Sequence, residues 1–182
     1  MTGGPGALPT TLAIHPNARG FGWAAFTGPL ALHDWAVVEV TKDKNVRCLK
    51  RVEELFERLH PEALVLETFE RRNARGADRI VRLCRALTAF AVDQGVEVAV
   101  YGRRDVRKCF ESVGARTRHE IAEAVARHLP ALAHKLPPKR RAWMSDDKRM
   151  SVFCAAALVL THYRFNAQLF FDGLKDQGRT DP

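Results

Sequence analysis

Apolar and polar positions along residues 11 to 40 alternate or cluster over short runs, as strands do. Thr11 to Ile14, Gly20 to Thr27 and Leu32 to Val40 are such runs, with Gly28-Pro29 marking a turn, and together they predict a three-strand meander. From Asn45 to His60 the period changes. Val46, Leu49, Val52, Leu55, Phe56 and Leu59 return at helical spacing, and Pro61 closes the segment. Ala63 to Glu67 follows as a fourth strand, whose unbroken Ala-Leu-Val-Leu implies burial on both faces and parallel pairing beneath helices.

A second amphipathic helix is expected over Ala77 to Gln94, carrying Ile80, Leu83, Leu87 and Phe90 and ending before Gly95. Val96 to Tyr101 reads as strand five. A short helix from about Asp105 to Ser112 leads to Gly114, and Thr117-Arg-His-Glu120 matches a capping box that opens a helix to about His128. The prolines in Lys135-Leu-Pro-Pro-Lys-Arg-Arg141 rule out regular helix, so this stretch reads as an exposed basic loop. Ser145 is then expected to cap a final long helix, Asp146 to about Asn166.

The order β-β-β-α-β-α-β-α-α defines an α/β fold. An antiparallel three-strand meander feeds two parallel strands, giving a five-stranded mixed sheet flanked by helices. Right-handed crossovers would set strands one, four and five side by side. Residues 1–10, rich in Gly and Pro, read as a flexible segment, 11–166 as one domain, and 167–182 as a tail that is polar and disordered from Asp172 onward.

The composition agrees with one domain: 182 residues, 46% of them hydrophobic, suffice for one core and not for two. Lys and Arg number 29 against 21 Asp and Glu, a net charge of +8 that favours polyanionic partners, nucleic acid first among them. Cys48, Cys84, Cys109 and Cys154 show neither zinc-module spacing nor a disulfide pattern, which points to a reducing, cytoplasmic setting. No run approaches the length of a membrane span, so no membrane partner is expected.

The candidate chemistry sits where apolar runs stop at polar groups. His15 follows the first strand, Glu67 ends the fourth, and Asp146 and Asp147 open the last helix. Three separated segments could thus converge at the carboxyl ends of neighbouring strands, a layout suited to metal-dependent phosphodiester chemistry. Asp146 and Asp147 equally suit a helix start, where acidic groups offset the dipole. Arg71, Arg72, Arg107, Arg118, Lys139 and Arg140 belong to three basic patches near those strand ends, and Phe69 follows Glu67 closely enough to stack on an unpaired base.

With Ile14-His-Pro-Asn, Val65-Leu-Glu67 and Phe153-Cys-Ala-Ala-Ala-Leu-Val-Leu-Thr-His162 on these elements, the chain resembles the RuvC family of Holliday-junction resolvases from about residue 11 to 165. The resemblance implies an RNase H-like fold, two Mg2+ or Mn2+ ions, branched DNA as partner and a homodimer. It places Arg107 and Arg118 on basic positions that contact DNA. It also places His15 where the family carries an Asp that bridges both ions, and Cys154 where it carries a terminal acid. Asp147, Ser151 and Cys154 would share one helix face at i, i+4 and i+7.

Two readings follow from the resemblance. In the first, Glu67, Asp147 and His15 are catalytic and, with Asp146, hold metal in a structure-specific endonuclease. In the second, His15 and Cys154 have dismantled the metal pair, leaving a catalytically degenerate protein that binds structured nucleic acid without an ion. A mixed His15, Glu67, Asp147 and Cys154 set would suit zinc better than magnesium.

Overall fold

The structure, a computed structural model, describes residues 9–68 and 76–177, with side chains as far as residue 168. The elements are β1 (Thr11–Asn17), β2 (Gly20–Phe26), β3 (Leu32–Glu39), α1 (Lys44–Leu59), β4 (Ala63–Glu67), α2 (Ala77–Asp93), β5 (Glu97–Tyr101), α3 (Arg103–Phe110), α4 (Arg118–His128), α5 (Pro130–Ala133) and α6 (Met150–Gln177). The strands lie in the order β3-β2-β1-β4-β5. β1 pairs antiparallel with β2 and parallel with β4, and β4 pairs parallel with β5. The expected meander and two parallel strands are therefore present, with strands one, four and five adjacent.

Alternation along the strands sorts their side chains onto two helical layers. Leu12 and Ile14 of β1, Phe21, Trp23 and Ala25 of β2, and Leu64 and Leu66 of β4 pack with Cys48, Val52, Leu83 and Leu87 of α1 and α2. Their neighbours Ala13, Ala24 and Val65 face the other way, into a core with Ile121, Val125, Phe153, Ala156 and Val159 of α4 and α6. Small residues on that second face let α6 lie close to the sheet. The limit is reached at Gly22, where a Cβ would fall on the carbonyl carbon and hydroxyl of Ser151 and 2.5 Å from the Val152 nitrogen.

Local signals explain most element ends. His60 takes a left-handed conformation (φ 45°) and its N–H bonds to Phe56 O at 2.9 Å, closing α1 before Pro61. The capping box forms as expected: Thr117 Oγ1 accepts from Glu120 N at 3.2 Å, while the Glu120 carboxylate accepts from Thr117 N at 2.9 Å.

Four boundaries differ from expectation. β1 continues through His15 to Asn17, because β2 still pairs with it as far as Asn17↔Gly20. α3 begins at Arg103 rather than Asp105, since the Asp105 carboxylate accepts from Gly102 N at 2.7 Å and caps the helix from inside its first turn. α5 is an additional turn of helix with Pro130 at its start, where a missing N–H costs nothing. α6 starts at Met150, not Asp146, and runs to Gln177 rather than stopping near Asn166, with no proline before Pro182 to end it. Its backbone thus occupies part of the segment expected to be a tail. Residues 1–8 and 178–182 lie outside the described residues.

His162 is buried in α6, 4% exposed, between Tyr101 Oη at 2.9 Å from Nδ1 and Asn166 Nδ2 at 3.1 Å from Nε2. Burial holds its pKa below the ordinary 6.5, against a smaller opposing pull from Glu97. An unfolded chain therefore takes up this proton before the folded one does. The group's contribution to stability is complete above pH 6.5 and declines as pH falls below it. Urea unfolding at pH 7.5 and 5.5 should show a smaller acid-induced loss in His162→Gln than in the parent.

Candidate nucleic-acid interface

The alternation that sends Ala13 and Val65 toward α6 sends His15 and Glu67, two residues further along each strand, to the same side. Both are buried, 6% and 8% exposed, at the carboxyl ends of the parallel strands. His15 Nε2 lies 2.8 Å from Glu67 Oε2. Arg103, the first residue of α3, donates from Nε to Glu67 Oε1 at 3.2 Å. Burial alone would raise the Glu67 carboxyl, but the hydrogen bond and charge of His15, followed by those of Arg103, outweigh it and hold the pKa below the usual value. Glu67 is therefore an ionised carboxylate with both oxygens in use.

Facing it is Cys154 on α6. Arg118, at the start of α4, donates from Nε toward Cys154 Sγ at 3.2 Å and from a terminal nitrogen to Asp146 Oδ2 at 3.2 Å. Burial pushes the Cys154 thiol up, and the nearby Arg118 only partly offsets it, so the sulfur is a neutral thiol and a weak metal ligand. Glu67, Arg103, Arg107, Arg118 and Cys154 line one cavity, floored by Ile121, Phe153 and Ala157. A single ionised carboxylate meets three guanidinium groups there, so the cavity favours an anion.

The acidic residues before α6 are placed differently. Asp146 is held by Arg118 and by Arg140, whose terminal nitrogen is 2.8 Å from Asp146 Oδ1. Asp147 grips Arg149, accepting from its terminal nitrogen at 2.6 Å and from its backbone N–H at 2.9 Å. The Arg149 hydrogen bonds hold the Asp147 carboxyl below its usual range. The turn at Asp147 also bonds Met150 N to Asp147 O at 3.0 Å, an i to i+3 closure that delays the helix. Asp147 therefore lies outside α6 and does not share a helix face with Cys154. It lines a separate outer cleft with Arg19, Arg140 and Lys148.

Among the described residues, no three His, Cys, Asp or Glu side chains gather where they could hold a metal ion. His15 and Glu67 meet; Asp146 and Asp147 do not join them. Lys139 and Arg140 rim a shallow depression beside Thr117, Arg118 and Asp146. Phe69, Arg71 and Arg72 lie outside the described residues. Sequence reasoning picked out Arg107 and Arg118 but did not single out Arg103 for the site, although its place just after strand five was a usable signal.

Sheet order, strand directions and the flanking helices define an RNase H-like fold of the RuvC type. Solved structures of that type superpose on nearly the whole chain. RuvC from Thermus thermophilus in complex with a Holliday junction substrate matches at a TM-score of 0.64 and 22% identity, covering 88% of this chain and 96% of that one. Another Thermus thermophilus RuvC structure matches at 0.62 and 24% identity, over 88% and 96%. The yeast mitochondrial Holliday junction resolvase Ydc2 matches at 0.54 and 15% identity, covering 90% of this chain and 85% of that one. No family model and no curated protein matches by sequence.

Proposed function

We propose that this chain binds branched DNA through the Glu67–Cys154 cavity and its arginine rim, and that it does so without two-metal cleavage. The observation that carries this reading is the occupancy of Glu67, whose two oxygens accept from His15 and Arg103. A pair of hard cations needs several anionic oxygens, at least one of them shared. Here a neutral thiol and a single carboxylate line the cavity, with an imidazole and a guanidinium already bonded to that carboxylate's two oxygens, so the donor set does not fit a magnesium pair. The positive charge that would meet a phosphate comes from Arg103, Arg107 and Arg118. Support for DNA as partner comes from the net charge of +8 and from the likeness to a RuvC solved on a Holliday junction.

A four-way junction has two-fold symmetry, and a homodimer would match it arm for arm. No described helix is long and apolar enough to cross a membrane. The test is a labelled four-way junction incubated with the protein in magnesium and, separately, in manganese. The parent should retard the junction and leave its strands intact. His15→Asp combined with Cys154→Asp, which supplies two carboxylates beside Glu67, should acquire manganese binding detectable by titration calorimetry. Strand cutting by the parent that disappears in Glu67→Gln would instead establish the endonuclease reading.

A further inference from the structure

The loop before α6 carries a group for which the cavity has no use. Trp143 is 77% exposed, with Met144 beside it at 39%. Large aromatic side chains are seldom left so bare, because their area contributes most when buried. The backbone that carries the indole is nonetheless held in place. Met144 N bonds to Arg141 O at 3.0 Å, which makes residues 141–144 a closed turn with Trp143 at its third position. Arg140 Nε donates to Met144 O across the base of that turn, and the same guanidinium bonds Asp146. Asp146 in turn bonds Arg118, on the rim of the cavity. One chain of polar contacts thus connects the turn that presents the ring to the proposed phosphate grip.

The surroundings are basic. Lys139, Arg140 and Arg141 precede the tryptophan, with only Ala142 between. The outer cleft below the turn is lined by Arg19, Arg140, Lys148 and Arg149, and its two acids, Asp146 and Asp147, are already engaged by Arg118, Arg140 and Arg149. A flat, exposed aromatic among cations is complementary to a nucleotide: the backbone is met by charge and the base by the ring face. A base within a continuous duplex has both faces covered by its neighbours. A base freed from pairing at a branch point has a face to offer.

We propose that Trp143 stacks on an unpaired base of the branched DNA while the adjoining backbone follows the cationic loop. This rests on the reading of the chain as a branched-DNA binder and adds the unpaired nucleotide as the feature recognised. No bond is made or broken.

The test uses the full chain and two probes. Of the three tryptophans, Trp23 is 3% exposed and Trp35 is partly buried beside His134 and Lys135, so quenching by a solute reports mainly on Trp143. Titration with an oligothymidylate should quench the emission of the parent and leave that of Trp143→Ala unchanged. In anisotropy titrations, Trp143→Ala should bind a four-way junction with unpaired thymines at its centre about tenfold or more weakly, while its affinity for blunt duplex stays within about twofold. Trp143→Phe should keep most of the affinity.

Equal binding of the open-centred junction by Trp143→Ala and the parent would overturn the stacking role and leave the junction reading intact. An equal loss on both DNAs would overturn it too, by assigning Trp143 a purely structural part. Should the parent bind no junction at all, the underlying reading fails, and the oligothymidylate titration still decides whether the ring stacks.

Discussion

With Arg103, Arg107 and Arg118 all replaced by alanine, affinity for a four-way junction should fall by about three orders of magnitude. Hydrogen bonds to charged groups contribute about 1.5 kcal/mol or more each, and three such contacts to phosphate amount to roughly that factor. The salt dependence should change with it. Each phosphate contact releases counterions on binding, so the slope of log K against log salt should flatten by about 2 to 3 in the triple variant. The fold should survive, because removing the arginines does not strand a buried charge: Glu67 keeps His15, and Asp146 keeps Arg140. Anisotropy titrations at several salt concentrations, with a thermal melt of each protein, make the measurement. Unchanged affinity and slope would move the interface elsewhere on the molecule.

Gly22→Ala should cost about 3 kcal/mol of stability, the upper part of the range for overpacking a tight core. The added methyl would collide with main-chain atoms of Ser151 and Val152, which cannot swing aside as a flexible side chain can. Relief requires α6 to lift from β2 or the β1–β2 ladder to bend. At about 2–4 °C per kcal/mol for a chain of this size, the melting midpoint should drop by roughly 6–12 °C. Because α6 also carries Cys154, any lift would reshape the cavity, and junction binding should weaken alongside stability. A melt indistinguishable from the parent would mean that α6 yields at Gly22 without loss of packing.

The architecture was legible because its signals are local. Period-two and period-3.6 patterns, Gly28-Pro29, Pro61, Gly95 and the Thr117 box each act within a few residues, and the elements they predict are present. His15 and Glu67 were legible as strand-end polar groups, and strand alternation brings them together. The acids at 146 and 147 were not, because their role depends on which cations, near and far in sequence, compete for them. Arg118, 28 residues away from Asp146, and Arg140 on the intervening loop take one carboxylate, while Arg149 takes the other. Helical spacing assumed a helix already under way at Asp147. The Arg149 hydrogen bonds to that carboxylate win the local competition and postpone the helix to Met150. The engagement of Glu67 by Arg103 likewise follows from tertiary register, for which no periodicity gives notice.

The two bonds that Arg118 makes, to Cys154 and to Asp146, do not exhaust its guanidinium. It has N–H groups left to offer an incoming anion while it still braces α4, α6 and the loop between them. The corner is therefore stiffened when the chain folds, and the entropy of fixing it is lost then instead of at each encounter with a ligand. Association at this corner should need little rearrangement, making its rate sensitive to ionic strength and nearly indifferent to solvent viscosity beyond that of diffusion itself.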